Sequence, residues 1–234
     1  MSLTLGQAPF GTRPAGTFNF DAPESVRYVE PFARRVRAVK DGETVVDSDA
    51  VKLVFETGKM LRFAFPAGDV HLEGATEAPL EGHVFVPWDA ADAWFEEAEE
   101  VFMHPRDPYH RIDTLATDRQ VRVLLDGVVL ASSNRVKALY ETSLPVRYYF
   151  PLADVEVEHL ERSDTLTRCA YKGAATHWSA RVGDRVVKDV AWSYADDVQP
   201  EAEAVRGYVC FYNERTDIEV DGAPAGRPQT AWSR

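Results

Sequence analysis

The chain has 234 residues, 45% of them hydrophobic and 11% aromatic, enough to bury one large core or two small ones. Its formal net charge of −12 leaves no basic face of the kind a generic nucleic-acid binder needs to displace counterions, so no nucleic-acid partner is expected. No apolar run approaches the roughly 20 residues needed to cross a bilayer, so no membrane span is expected either.

The first residues, "MSLTLGQAPFGTRPAG", have neither the basic nor the apolar region of a secretory signal. A cytoplasmic chain is the expectation, with Cys169 and Cys210 as reduced thiols. Two cysteines without a paired C-x-x-C motif cannot supply a four-cysteine zinc site, and no metal site is expected.

The chain then repeats itself. Residues 36–70, "VRAVKDGETVVDSDAVKLVFETGKMLRFAFPAGDV", align without a gap to residues 121–155, "VRVLLDGVVLASSNRVKALYETSLPVRYYFPLADV", with fourteen identities in 35 positions. Such a match implies a tandem duplication. Two domains follow, residues 1–103 and residues 104–234.

Each repeat opens with an apolar alternating run, an Asp-Gly pair and a second run. Asp-Gly tolerates positive φ at both turn centres, so it predicts a tight hairpin. "VKLVFET" and "VKALYET" follow, with apolar residues near helical spacing. "LRFAFP" and "VRYYFP" read as strands ending at proline. In the second, Tyr148 and Phe150 share one face, and Arg147 and Tyr149 share the other.

The copies diverge beyond this point. The first is trimmed. Between them, "HPRDPYHRIDTLATDRQ" reads as an ordered connector, and the spacing of its His104, Asp107, His110 and Asp113 matches no standard metal motif. The second copy adds "CAYKGAATHW", a strand pair around Gly183-Asp184, a short helix over Pro200–Val205 and a buried strand "YVCFY". The expected fold is mainly β, with short helices.

The order "DG…ETSLPVRYYFPLADV…SDTLTRCAYKGAATHWSARV…VAWSY…GYVCFYNERTD" resembles the domain of unknown function 427 family, and "HPRDPYHRID" resembles the connector of its two-copy bacterial members. The resemblance runs from about Gly11 to Thr230. It implies two tandem antiparallel β-tent-like (Mss4-like) units. The family's label also implies a nucleotidyltransferase-like activity.

Three site readings are open in the second unit. Nucleotidyl transfer calls for metal-binding carboxylates and a phosphate cradle, yet the chain has no Gly-Ser turn. Its Asp47-x-Asp49 is matched by Ser132-x-Asn134 in the second copy. A thiol enzyme would use Cys169, with Arg168, Lys172 and His177 as candidate neighbours and Cys210 as a candidate resolving partner. In an extended 168–172 segment, Cys169 and Tyr171 would face one way, and Arg168 and Lys172 the other. A binding pocket would take Tyr171, Trp178 and Trp192 as walls, with Tyr148 and Tyr194 nearby. Lys172 and Arg147 would meet an anionic group, Glu141 would supply a further polar group, and Cys169 would sit at the edge.

The pocket reading is the main expectation: a small-molecule ligand, phosphorylated or nucleotide-like, bound in the second unit. The pair Glu141 and Arg147 recurs as Glu56 and Arg62, which also fits a structural ion pair. The sequence specifies no cofactor and leaves the oligomeric state open.

Overall fold

The computed structural model describes residues 19–21 and 23–233. The N-terminal stretch read for a secretory signal lies outside them. The chain divides into two compact units, one ending at Tyr109 and the other starting, among the described residues, at His110. Both are antiparallel β structures. No helix among the described residues is long and apolar enough to cross a membrane.

Among the described residues the first unit has nine strands: β1 (Arg27–Pro31), β2 (Val36–Lys40), β3 (Glu43–Ser48), β4 (Lys52–Glu56), β5 (Arg62–Pro66), β6 (Thr76–Glu77), β7 (His83–Phe85), β8 (Ala93–Glu96) and β9 (Glu99–Val101). They form a five-stranded sheet in the order β1-β4-β5-β7-β6 and a four-stranded sheet in the order β3-β2-β8-β9. Phe63, Phe65 and Trp94 fill the core with Val36, Val46 and Leu53. The β2–β3 turn has φ of 51° at Asp41 and 82° at Gly42, the two positive values that an Asp-Gly hairpin requires. Ser48 Oγ donates to Asp69 Oδ2 at 2.6 Å, fixing the far end of β3.

The second unit adds β10 (Ile112–Ala116), β11 (Val121–Leu125), β12 (Val128–Ser133), β13 (Lys137–Glu141), β14 (Arg147–Phe150), β15 (Leu160–Cys169), β16 (Gly173–Val182), β17 (Arg185–Val198), β18 (Val209–Phe211), β19 (Asp217–Val220) and β20 (Ala223–Ala225). The larger sheet runs β10-β13-β14-β18-β17-β16-β15 and the smaller runs β12-β11-β19-β20. Asp126 and Gly127 turn the β11–β12 hairpin with φ of 51° and 82°. Ser133 Oγ donates to Asp154 Oδ2 at 2.6 Å.

Three expectations are corrected. The "VKLVFET" and "VKALYET" segments are strands β4 and β13, not helical turns. Their apolar residues cluster because neighbours on both faces are buried, Leu53 to Phe55 in β4 and Ala138 with Leu139 in β13, which removes the alternation that marks a half-buried strand. Ile112–Ala116, inside the expected connector, is the edge strand of the larger sheet. The 168–172 segment is not extended: β15 ends at Cys169 and the chain turns through 170–172.

The larger sheet of the second unit has two buried faces of different character. On one face Phe150, Val209, Phe211, Ala191 and Ala180 join the strands of the smaller sheet in an apolar core. On the other, Leu139, Tyr149, Cys210, Trp192, Tyr194 and Ala175 pack together, covered in part by Ala202 and Val205 of the 3-10 turn Pro200–Val205. This second face carries the polar residues.

Candidate functional site

Register places the polar face. Leu139 lies opposite Arg147, Tyr149 opposite Cys210, Cys210 opposite Trp192 and Trp192 opposite His177. Directly opposed residues share a face of an antiparallel sheet. Glu141, two residues beyond Leu139, and Tyr194, two beyond Trp192, therefore join the same face.

Two buried ion pairs stand on it. Arg147 grips Glu214 with both guanidinium ends, Nη1 to Oε2 at 2.7 Å and Nη2 to Oε1 at 2.8 Å. The side chains are 6% and 0% exposed. Such bidentate pairing has fixed geometry as well as charge complementarity. Thr230 Oγ1 donates to Glu214 Oε1 at 2.6 Å. The guanidinium lies over the rings of Trp192, Tyr212 and Trp232, 5.5 to 5.8 Å from their centroids. Burial pushes the Glu214 carboxyl up, but Arg147 and Thr230 outweigh it and hold the group below the usual carboxylate range.

The second pair is Lys172 and Glu141. Lys172 Nζ donates to Glu141 Oε2, and His110 Nε2 donates to Glu141 Oε1 at 3.0 Å. The His110 ring stacks on Tyr171, with centroids 3.9 Å apart and planes inclined by 14°. Burial again raises the carboxyl, and His110 and Lys172 together hold it below its ordinary value. The turn that aims Lys172 inward depends on Gly173. Its φ is +95°, and a Cβ there would stand 2.1 Å from the Asp197 carbonyl oxygen.

The structure thus brings Glu141, Tyr171 and Lys172 together and places Arg147 and Trp192 on the same face. It does not bring Trp178 to them. Trp178 lies opposite Ala191, on the reverse face, packed against the apolar core. Lys172 is buried. Neither cation expected to meet an anion is open, since each is matched in the chain by a buried carboxylate.

Cys169 is half-buried at the end of β15, whereas Cys210 is fully buried in β18. Burial pushes the Cys210 thiol far above its ordinary value. The two cysteines stand on strands three positions apart in the sheet, about 14 Å at the usual strand spacing, beyond disulfide reach. Cys210 is therefore no resolving partner for Cys169.

Sequence reasoning missed Glu214 and His110 as partners. Glu214 lies in the turn after β18, where no alternation marks it. His110 lay in the connector and was weighed only as a metal ligand. Among the described residues no group of three or more His, Cys, Asp or Glu side chains is gathered to hold a metal ion.

The fold and this face define a mainly antiparallel β protein whose second unit is built round a buried polar network. Residues 113–222 match the model of the family described as Domain of unknown function (DUF427). His110, Thr230 and Trp232 lie outside the matched residues. No curated protein matches the chain.

Proposed function

We propose that the second unit binds a small polar molecule beside the Lys172–Glu141–His110 network. Tyr171, Trp192 and Tyr194 form its aromatic surroundings, and half-buried Cys169 marks the approach. The observation that carries this reading is the network itself. Burying an ammonium and a carboxylate costs several kcal/mol per ion before pairing repays it, and an apolar pair would hold a core at least as well. Polar groups placed in an aromatic setting are what small-molecule sites use to orient a ligand.

The charge balance refines the expected ligand. Lys172 is matched by Glu141 and Arg147 by Glu214. A phosphate would have to displace a buried carboxylate. A neutral or zwitterionic molecule that adds hydrogen bonds to the network fits better than a phosphorylated or nucleotide-like one. The same balance weighs against a nucleotidyltransferase reading, which needs unpaired cations or carboxylates for metal and phosphates.

A thiol-dependent enzyme is the second reading, favoured by the partial exposure of Cys169. The tandem-repeat organisation with β-tent-like units belongs to the same proposal. It is supported by the two Asp-Gly hairpins with equal φ values and by the Ser48–Asp69 and Ser133–Asp154 hydrogen bonds at matching positions.

Native mass spectrometry of the freshly purified protein, set against its denatured mass, tests the binding reading. A small organic mass that is lost on denaturation and absent from the Lys172→Met protein supports it. A bare native mass, together with no thermal stabilisation across a panel of neutral and zwitterionic metabolites, counts against it.

A further inference from the structure

His177 sits at an unusual place in the larger sheet. Between the pairs Arg162–Trp178 and Leu166–Thr176, three residues of β15, Ser163 to Thr165, oppose His177 alone. Between the pairs Trp178–Ala191 and Ala180–Val187, three residues of β17, Lys188 to Val190, oppose Ser179 alone. One bulge thus faces His177 and the other faces Ser179, two residues further along the same strand. Bulges re-aim side chains and are over-represented beside active sites. Asp189, at the middle of the second bulge, has φ of 50°, a left-handed value that non-glycine residues seldom adopt.

The side chains gathered there form a chain of polar contacts. The exposed Thr167 hydroxyl lies 2.8 Å from His177 Nε2. Thr165 Oγ1 donates to Asp189 Oδ2 at 2.9 Å, and Ser163 Oγ lies 3.0 Å from Thr165 Oγ1. His177 is 3% exposed, yet its buried Nδ1 has no hydrogen-bond partner, and neither has the buried Oδ1 of Asp189. Each of the two residues lies within the electrostatic reach of the other. Asp189 therefore acts on the imidazole through its charge, with no direct hydrogen bond between them.

We propose that Thr167 is an acyl-accepting nucleophile, with His177 as its general base, Asp189 as the group that orients the imidazole, and activated carboxylic esters as the substrate class. A hydroxyl within hydrogen-bond reach of an imidazole that a carboxylate orients is the arrangement by which weak oxygen nucleophiles are activated. Asp189 favours the tautomer with its proton on Nδ1, which leaves Nε2 to accept from Thr167. Burial lowers the proton affinity of His177, and with the nearby charge of Arg215 it outweighs the pull of Asp189, so the imidazole is neutral near pH 7 and able to accept a proton.

In the reaction Thr167 Oγ bonds to the ester carbonyl carbon and His177 Nε2 takes the hydroxyl proton. The carbon–oxygen bond to the alcohol then breaks, and the departing alkoxide takes that proton back. The products are an ester on Thr167 and a free alcohol. No oxidant, metal or further reactant enters. This site stands independently of the Lys172 network.

The test uses the full chain carrying Cys169→Ser, to remove the neighbouring thiol, with p-nitrophenyl acetate as probe. The expected result is a burst of nitrophenolate of up to one equivalent and one acetyl group located on Thr167 by peptide mass. Thr167→Ala abolishes both, Thr167→Ser retains them, and Asp189→Asn slows the burst. His177→Gln slows it by about 100-fold or more, the usual contribution of a general base. Thr167→Ser keeps the hydroxyl beside His177, and far-UV circular dichroism of Thr167→Ala separates loss of the nucleophile from loss of the fold. Acetylation confined to lysines, no acetylation at all, or a Thr167→Ala protein that reacts like the parent overturns the proposal. A labelled Thr167 whose rate is unchanged in both folded His177→Gln and folded Asp189→Asn overturns it as well.

Discussion

Lys172 reaches Glu141 across thirty-one residues of sequence, from the turn before β16 to the end of β13, and both side chains are buried. Breaking one member of such a pair leaves an uncompensated charge in the interior. Lys172→Met is therefore expected to destabilise the second unit by about 3–5 kcal/mol. His110 still serves the carboxylate, which places the loss toward the lower end. Combining Lys172→Met with Glu141→Leu removes the stranded charge and recovers most of the loss. Urea unfolding of both single variants and the double variant measures this. A double variant as unstable as the sum of its parts would show that the pair acts through something other than charge.

Stability should respond to acid in two windows. His177 has a lowered proton affinity in the folded state, because burial outweighs Asp189. The unfolded chain thus binds the extra proton first, and stability falls as the pH drops below about 6.5. Glu141 and Glu214 are also held below their ordinary values, by bonds that outweigh their burial. Their contribution is complete above about pH 4.3 and is lost as the pH falls through their folded values. Denaturant midpoints measured from pH 8 to pH 3 should show both declines. His177→Gln should flatten the first and leave the second.

The two thiols should differ sharply. Cys210 is wholly enclosed and its thiol is pushed up by burial, so almost no thiolate forms at neutral pH. Cys169 is half-buried. Iodoacetamide on the native protein is expected to label Cys169 alone, with Cys210 labelled only in denaturant. Peptide mapping reads the sites. Rapid native labelling of Cys210 would mean that β18 opens readily.

The parts of this architecture written in local pattern were legible in the sequence. Asp41-Gly42 and Asp126-Gly127 announce their hairpins because two successive positive φ values admit few other residues. Alternation in "RYYF" separates Tyr148 and Phe150 from Arg147 and Tyr149, and the two sets do pack into different cores. What local pattern cannot show is which distant residue completes a pair. Glu214 meets Arg147 across sixty-seven residues, and His110 meets Glu141 across thirty-one. Trp178 misled for a related reason. Its face is set by the register of β16 against β17, and bulges on both sides shift that register.

Gly173 offers the sharpest test of how the turn builds the site. It follows Lys172 directly, and its φ of +95° disfavours any L side chain. Opposite it, the pairs Gly173–Val198 and Ala175–Tyr194 leave Ala195 to Asp197 as a bulge, which brings the Asp197 carbonyl against the glycine. The Cβ of an alanine would lie 2.1 Å from that oxygen, and a backbone atom cannot swing aside as the end of a flexible side chain can. The backbone penalty of about 1–2 kcal/mol and an overpacking cost of about 1–3 kcal/mol together give an expected loss of roughly 2–5 kcal/mol for Gly173→Ala. The strain should also pull Lys172 away from Glu141. Gly173→Ala and Lys172→Met are then expected to be non-additive, the double variant losing less than the sum. Urea unfolding of the three proteins decides it. Simple additivity would mean that the turn and the ion pair are independent, and that Gly173 serves only the approach of Asp197.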